Sequence, residues 1–268
     1  MILPNFSSHL TEGEHLQREA QWQEQQVIKR RWLNSLLYDS PAFDGVRDSM
    51  LAHLKSASTG GWILDIGCGE GRDLISLNRE GISVIGVDLS WAQLRWAKER
   101  MDAEPFIKRV TLIQADATAL PFRSGTFHFV FGKAILHHIS HRESALKEIE
   151  RVLHQKGYLS FAEPMAYHPL FWLGRHLTPH LRSADERPFR LDDFYRIAAL
   201  FEKCEIEFWF LLAPLAYILR LLPCGEQMFQ KLHACLSRLD RWLFQRIPTL
   251  RAWAWYGVIR GRKCEGLW

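Results

Sequence analysis

The sequence predicts an α/β fold in which a doubly wound, mostly parallel sheet carries helices on both faces. Short apolar runs suited to strands alternate with segments of helical periodicity over residues 59–162. A turn with glycine at every second position follows the first run, in Asp65-Ile-Gly-Cys-Gly-Glu-Gly71. Such alternation is typical of parallel sheets covered on both sides, and a chain of 268 residues is long enough for one domain of this kind.

Seven strands are predicted from runs rich in apolar, β-branched and aromatic residues. Gly81, Pro105 and Gly157 mark breaks between these runs and the helical segments, because glycine and proline interrupt regular structure. The predicted strands span residues 62–66, 83–87, 110–114, 127–131, 158–162, 206–211 and 253–259.

Helices are predicted in the connections between the strands. The first follows the glycine turn and ends near residue 78. The patterns Ser90-x-x-Gln93 and Ser140-x-x-Glu143 predict helices that begin at Ser90 and Ser140, because a serine oxygen and a side chain three residues later satisfy exposed amides. A further helix is predicted over residues 191–201.

We interpret the chain as a single domain with four successive parts. Thr11-x-x-Glu14 begins a helical pattern that Asp39-Ser40-Pro41 ends, and a second helix is predicted over residues 43–54. Four prolines with aromatic residues between them interrupt the alternation after the fifth strand and indicate an irregular cap. Within 1–268 the parts are N-terminal helices (1–58), a cofactor-binding core (59–162), a cap (163–190) and a C-terminal part (191–268) with an apolar insertion (213–250).

Composition excludes several classes of protein. The net charge of +4 is mild and its basic residues are scattered, whereas nucleic-acid binding usually shows a concentrated stripe. Five cysteines without short paired spacings fit neither a zinc site nor a disulfide framework, so we expect no metal. The first residues have no basic region followed by an apolar segment, and we expect a cytoplasmic protein.

A nucleoside ligand is predicted at the carboxyl ends of the first strands, where open α/β sheets bind their ligands. Arg72 stands where a dinucleotide fingerprint has its third glycine, which argues against a pyrophosphate on the helix. Asp88 follows the turn by about 20 residues and suits a ribose diol. Asp116 can accept from an adenine amino group while the Ala117 amide meets a ring nitrogen. Tight-turn, cap and loop roles remain alternatives for these residues.

Five segments in order resemble motifs of the class I S-adenosylmethionine-dependent methyltransferases, in their UbiE/type-11 branch. The segments are Asp65-Ile-Gly-Cys-Gly-Glu-Gly, Val84-Ile-Gly-Val-Asp88, Ala115-Asp-Ala-Thr-Ala-Leu-Pro-Phe122, Phe127-x-Phe-Val130 and Arg151-Val-Leu-x-x-x-Gly157. The resemblance covers about residues 60–162 and the last two strands. It implies a Rossmann-like, seven-stranded sheet whose last strand is antiparallel.

The resemblance also implies S-adenosylmethionine as the only cofactor. It places Gly67 and Gly69 against the methionine moiety, Asp88 on the ribose, Asp116 on the adenine and Leu89 beside the adenine ring. Asp65 is expected to order the amides of the turn, and Cys68 to be a small residue in a crowded loop. The candidate cofactor site therefore comprises Asp65, Gly67, Cys68, Gly69, Asp88, Leu89, Asp116 and Ala117.

Methyl transfer from a sulfonium asks little of protein side chains, because the methyl group is already activated and positioning can supply much of the rate. A base is needed only when the acceptor must lose a proton. His137 and His138 follow the fourth strand and are the candidate bases, although histidines bonded within the sheet–helix junction are an alternative. The Asn/Asp-Pro-Pro-Tyr signature of amino-group methylation on DNA or glutamine is absent after this strand.

The cap and the insertion are expected to select the acceptor. Tyr167, His168, Phe171 and Trp172 are candidate substrate residues, since methyltransferases build the acceptor pocket after the fifth strand; a purely structural lid is equally compatible. The apolar run from Phe208 to Leu219 is too short to span a membrane, and the sixth strand is expected to occupy its first part. From Gln227 onward the insertion has an amphipathic, basic pattern that suits either a membrane surface or packing on the sheet or in a dimer.

Together these observations predict methyl transfer to a small, apolar or lipid-like acceptor. The expected protein is cytoplasmic, has no nucleic-acid partner, and contacts the inner face of a membrane peripherally if residues 213–250 face lipid. The alternative is a catalytically silent protein of the same fold that binds the cofactor or a partner.

Overall fold

The computed structural model describes residues 41–54, 61–104, 110–178, 186–222 and 225–263. Seven strands form one sheet in the order β3-β2-β1-β4-β5-β7-β6. The predicted number of strands is confirmed, and β1 and β3 have the predicted bounds. The strands are β1 Trp62–Ile66, β2 Val84–Asp88, β3 Val110–Gln114, β4 Phe127–Lys133, β5 Leu153–Pro164, β6 Glu202–Trp209 and β7 Tyr256–Arg262.

The sheet is parallel except for its last strand in the sequence. β1 pairs in parallel with β2 and β4, and β4 pairs in parallel with β5. β7 lies antiparallel between β5 and β6, as predicted. The order reverses between β1, whose next strand is β2, and β4 on its other side, so the switch point lies at the carboxyl ends of β1 and β4.

Alternate residues of the central strands pack into two cores on opposite faces of the sheet. Ile63 and Phe129 belong to one core, while Leu64 and Val130, the next residues along their strands, belong to the other. Both sets are buried, as expected for parallel strands covered on both sides. The covering helices are α1 Asp44–Met50, α2 Arg72–Arg79, α3 Trp91–Asp102, α4 Arg142–Val152, α5 Pro169–Leu177, α6 Leu191–Ala198 and α7 Gly225–Arg246.

Several local predictions need correction. Helix α4 begins after His141 without a side-chain cap, so Ser140 is not its N-cap. The predicted irregular cap contains helix α5, and the last strand starts three residues later than the predicted 253. Ser90 does cap α3, because its oxygen accepts from the Gln93 amide at 3.3 Å. The predicted helix before residue 39 lies outside the described residues.

The insertion consists of a 3₁₀ helix, Ala213–Leu221, then helix α7, and a second 3₁₀ helix, Pro248–Trp253. Asp240 fastens α7 to the end of β6, since its buried carboxylate accepts from the amides of Leu211, Leu212 and Ala213 at 2.9, 2.9 and 3.1 Å. These amides precede or begin the 3₁₀ helix, where backbone amides have no partner inside the helix. Among the described residues no helix is long and apolar enough to cross a bilayer.

We expect Asp240→Ala to lower the free energy of unfolding by about 3 kcal/mol. Hydrogen bonds to a charged acceptor contribute ~1.5–3 kcal/mol each and are not additive, and here three amides lose one acceptor. Denaturant titration of both proteins measures the loss. Arg238→Ala, on the exposed side of the same helix, is the control and should change stability by less than ~0.5 kcal/mol. Equal stability of the two variants would contradict this account of the insertion.

Candidate active site

The glycine turn after β1 is shaped by backbone conformations that suit glycine. Gly67 and Gly69 have φ of 70° and 51°, in the left-handed region where a side chain is strained. A Cβ on Gly67 would lie 2.5 Å from Ile135, whereas a Cβ on Gly69 would meet only the Gln93 oxygen, at 3.8 Å. The amides of Gly67 and Cys68 both donate to the Val87 carbonyl. The turn is therefore held closely against β2, with open space beside Gly69.

Asp88 connects the turn to the end of β2. Its carboxylate accepts from the Gly69 amide and from the Ser90 amide, each at 2.9 Å. Burial raises the pKa of this carboxyl above its ordinary value, and the two amides oppose that rise. The expectation that Asp65 orders the turn's amides is wrong for Gly69, because Asp88 receives that hydrogen bond.

The turn fits the ribose and methionine parts of a nucleoside cofactor. Gln93 directs a buried side-chain oxygen toward the open space beside Gly69, and this oxygen has no hydrogen-bond partner among the described residues. A buried acceptor of this kind is costly unless a ligand or water satisfies it. One oxygen of Asp88 accepts from the Gly69 amide and the other from the Ser90 amide, and a carboxylate offers about four acceptor positions, so Asp88 retains capacity for hydroxyl donors.

The adenine side of the predicted site lies at the ends of β2 and β3. The Gln114 side chain donates to the Leu89 carbonyl at 3.0 Å, and the Ala115 amide donates to the Asp88 carbonyl at 3.1 Å. Asp116 accepts from both the amide and the hydroxyl of Thr118, at 2.8 and 2.6 Å. Asp116 thus has the loop role that the sequence left open as an alternative, directly after Ala115, whose amide bonds Asp88.

A charged group lies beneath the turn. Asp73, on α2, accepts from Arg47 at 3.0 Å and from Lys133 at 2.8 Å. These cations hold the pKa of Asp73 below its ordinary value despite burial. Buried Asp65 has a pKa well above its ordinary value, first because of burial and then because of the negative charge of Asp73. Burial also raises the pKa of the Cys68 thiol, so Cys68 is no nucleophile at neutral pH.

Glu163, at the carboxyl end of β5, is the site residue that sequence reasoning missed. Its fully buried carboxylate accepts from the amides of Ile135 and Leu136 at 3.0 and 2.8 Å, and from the His137 amide at 3.4 Å. It also lies 2.7 Å from Nδ1 of His137. A glutamate directly after the strand run Tyr158-Leu-Ser-Phe-Ala162 was the available signal, because charged side chains are almost never buried unpaired.

The two predicted histidines lie together above Glu163, in the short 3₁₀ helix Leu136–His138. Their ring centroids are 4.1 Å apart. Burial lowers the pKa of His137 well below its ordinary value, and raises the pKa of Glu163 to about 7. The charge of His138 acts to lower the pKa of both Glu163 and Asp88, so His138 lies near both the Glu163–His137 pair, here called the dyad, and the cofactor turn.

The four predicted substrate residues separate in the structure. His168 is buried and caps α5, with Nδ1 accepting from Phe171 and Nε2 contacting the Leu211 carbonyl at 3.1 Å. Both ring nitrogens of His168 have partners within the protein, which argues against the predicted contact of His168 with an acceptor. Phe171 is half-buried against Trp255, at 6.3 Å between ring centroids. Tyr167 and Trp172 are exposed.

The cap is fastened over the histidine pair by arginines. The Arg187 amide donates to the His137 carbonyl at 2.7 Å. Arg142 donates to the carbonyls of Leu136 and Arg187, and its guanidinium lies 4.5 Å from the centre of the Phe189 ring. These bonds connect the cap segment to the dyad, so the dyad lies under the cap and not on open surface.

Comparison with known proteins is consistent with this geometry. Residues 64–161 match the type-11 family described as a methyltransferase domain. Methyltransferase GfsG of Streptomyces halstedii is 34% identical over 107 residues, which cover 40% of this chain and 38% of that protein. The ubiquinone/menaquinone C-methyltransferase UbiE of Geotalea uraniireducens is 32% identical over 111 residues, covering 39% of this chain and 47% of that protein. The chain thus aligns with less than half the length of these relatives.

Solved structures extend the likeness to the fold of nearly the whole chain. Phosphoethanolamine N-methyltransferase 2 of Haemonchus contortus, in complex with S-adenosyl-L-methionine, superposes with a TM-score of 0.64 at 22% identity, covering 96% of this chain and 61% of that one. Geranyl diphosphate C-methyltransferase of Streptomyces coelicolor gives a TM-score of 0.58 at 16% identity, covering 82% and 79%.

Sheet order, glycine turn and the carboxylates at the ends of β2 and β3 define the class I methyltransferase fold. The family match over residues 64–161 and the UbiE relatives support a class I S-adenosylmethionine-dependent methyltransferase of the UbiE/type-11 branch. The enzymes of this class use S-adenosylmethionine, and structural neighbours hold it or its product. The family resemblance, the fold class and the cofactor are confirmed. Among the described residues no three His, Cys, Asp or Glu side chains are grouped to hold a metal.

Asp88→Ala should weaken binding of S-adenosylhomocysteine about 10–100-fold, because loss of a charged hydrogen-bond partner costs ~1.5–3 kcal/mol. Isothermal titration calorimetry measures the affinity. Asp102→Ala is the matched control, since its exposed carboxylate pairs with Lys98 at the far end of α3 and should not affect binding. Unchanged affinity in Asp88→Ala would refute the cofactor placement.

Glu163→Gln should change how stability depends on pH. The folded-state pKa of Glu163, about 7, exceeds its ordinary value of 4.5, so the folded wild type binds a proton that the unfolded chain releases between these pH values. Glu163 therefore makes wild type lose stability as pH rises through this window, by up to ~3 kcal/mol. His137 acts in the opposite direction, because its lowered pKa removes stability as pH falls below 6.5.

Glu163→Gln removes the pH dependence that comes from Glu163 and keeps the pH dependence that comes from His137. Its free energy of unfolding, relative to wild type, should increase between pH 5 and pH 7.5 by ~1–3 kcal/mol. Chemical denaturation at both pH values measures this difference. A difference between the proteins that is independent of pH would show that Glu163 has an ordinary pKa.

Proposed function

We propose that the chain transfers a methyl group from S-adenosylmethionine to a small acceptor, with His137 as the base. The Glu163–His137 hydrogen bond beside the cofactor turn is the observation that carries this proposal. Asp88, Leu89, Asp116 and Ala117 would hold the nucleoside, and Gly67 and Gly69 the methionine part, with Asp65 and Cys68 beneath them. Bound S-adenosylmethionine supplies an activated methyl group on a positively charged sulfur.

The dyad accounts for the removal of the acceptor's proton. Glu163 occupies Nδ1 of His137, which leaves Nε2 as the nitrogen that receives a proton from the acceptor. As the acceptor atom bonds to the methyl carbon, the carbon–sulfur bond breaks and its electron pair stays on sulfur. An ionised Glu163 stabilises the resulting imidazolium. His138, whose charge acts on both Glu163 and Asp88, is the second candidate base.

The acceptor that we propose is apolar or lipid-like and is taken up at a membrane surface that residues 213–250 contact. Phe171 lines the cap with half-buried aromatic surface, and Arg175 packs over its ring at 5.4 Å. Tyr167 and Trp172 would meet the acceptor only at the outer edge of the cap, because both are exposed. Structural support for an apolar acceptor is thus strongest at Phe171.

Label from methyl-labelled S-adenosylmethionine should enter a product of a cell lipid extract when wild-type protein is added. His137→Asn should reduce the transfer ~100-fold or more, the usual contribution of a positioned base, and retain S-adenosylhomocysteine affinity. His141→Asn, an exposed neighbour in sequence, is the control and should transfer normally. Binding of the cofactor product with no transfer to any extract would favour the catalytically silent alternative.

A further inference from the structure

We propose that helix α7, the 3₁₀ helix Ala213–Leu221 and helix α5 form one docking face for an anionic phospholipid bilayer. This inference deepens the proposed function, on which it rests for the position of the acceptor site under the same face. The docking face includes α5, which lies outside the insertion predicted to contact lipid.

The solvent side of α7 carries a stripe of apolar side chains that lie outside the core. Met228, Leu232, Leu239 and Trp242 are exposed by 55, 38, 41 and 53%. Their spacing of four, seven and three residues places them along one line of the helix. The opposite side already supplies the packing through a separate set of buried residues, Phe229, His233, Asp240 and Phe244.

The charged side chains of α7 indicate which kind of partner covers this stripe. Lys231, Arg238, Arg241 and Arg246 are all exposed on α7. The acidic residues of the helix do not offset them, because Asp240 is buried and Glu226 lies 3.0 Å from the Arg220 guanidinium. An exposed apolar line flanked by basic side chains is the arrangement of helices that lie in the plane of an anionic membrane surface.

The other two elements extend the face because α5 and the 3₁₀ helix both contact Trp255, and the 3₁₀ helix contacts α7 through Tyr217. Phe171 of α5 and Tyr217 of the 3₁₀ helix each lie 6.3 Å from Trp255, between ring centroids. Tyr217 in turn lies 4.9 Å from Phe229 of α7. Around this junction the outward side chains are again large and apolar: Leu170, Leu173 and Leu177 of α5, and Leu215, Ile218 and Leu222 of the 3₁₀ segment.

The geometry explains how an apolar acceptor would reach the site. Helix α5 belongs to the cap that is fastened over His137, and Arg175 of α5 pairs with Glu186, next to the residue that bonds His137. A bilayer against α5 would therefore lie on the outer side of the cap. An acceptor dissolved in the bilayer would then enter the site without crossing water.

Co-sedimentation of the full chain with vesicles tests the proposal. Wild type should bind phosphatidylglycerol vesicles, bind phosphatidylcholine vesicles far more weakly, and lose binding as salt is raised. The double variant Met228→Glu, Trp242→Glu should lose binding at least tenfold. The triple variant Lys231→Gln, Arg238→Gln, Arg241→Gln should lose roughly 100-fold, since each charge near an anionic leaflet contributes about fivefold. Trp91→Glu, an equally exposed tryptophan outside the face, should bind as wild type does.

Three results would overturn the docking face. They are no binding to phosphatidylglycerol, equal binding by the double variant, or sedimentation as a dimer that the double variant dissociates, which would assign the stripe to a second copy. Circular dichroism confirms that the variants fold. S-adenosylhomocysteine binding and methyl transfer to detergent-dispersed extract separate the two proposals. Wild type that transfers methyl groups but does not bind phosphatidylglycerol vesicles rejects only the docking face, and wild type that binds these vesicles but transfers nothing rejects only the proposed function.

Discussion

The buried carboxylate of Glu163 is the interaction on which the active end of the molecule depends. It joins the end of β5 to the segment after β4, because one carboxylate accepts from three consecutive amides and contacts the His137 ring. An uncompensated charge at this position would be costly, so the amides and the imidazole must be in place for the carboxylate to ionise. The junction between β4 and β5, the position of the cap and the proton chemistry of His137 therefore all depend on Glu163.

Trp255 connects the two parts of the chain that follow the core, the cap and the insertion. His168 stacks on it at 5.6 Å, and Phe171 and Tyr217 reach it from the cap and the insertion. The cap and the insertion are distant in sequence but share this contact, which places them on one side of the site. An arrangement of this kind allows a single surface to govern access to the acceptor pocket.

The core was predictable from sequence because its signals are local. The glycine turn, Asp88 and the Ser90 cap depend on residues close in the chain, and their strands have the expected alternation. Glu163 and Asp240 were not predicted as anchors, since their partners lie 26 to 29 residues away and periodicity carries no information about such pairs. The sidedness of α7 was only partly predictable: Trp242 is exposed as a membrane role requires, whereas Leu236 packs against the core.

The central claim is that Glu163, and not His137, titrates near neutrality. Nuclear magnetic resonance of protein labelled with nitrogen-15 in histidine measures the protonation of each ring directly. The account predicts that His137 stays neutral well below its ordinary pKa of 6.5 and that its Nδ1 signal shifts with a midpoint near pH 7 as Glu163 ionises. That shift should vanish in Glu163→Gln. Protonation of the His137 ring with a midpoint near 6.5, unchanged in the variant, would contradict the account.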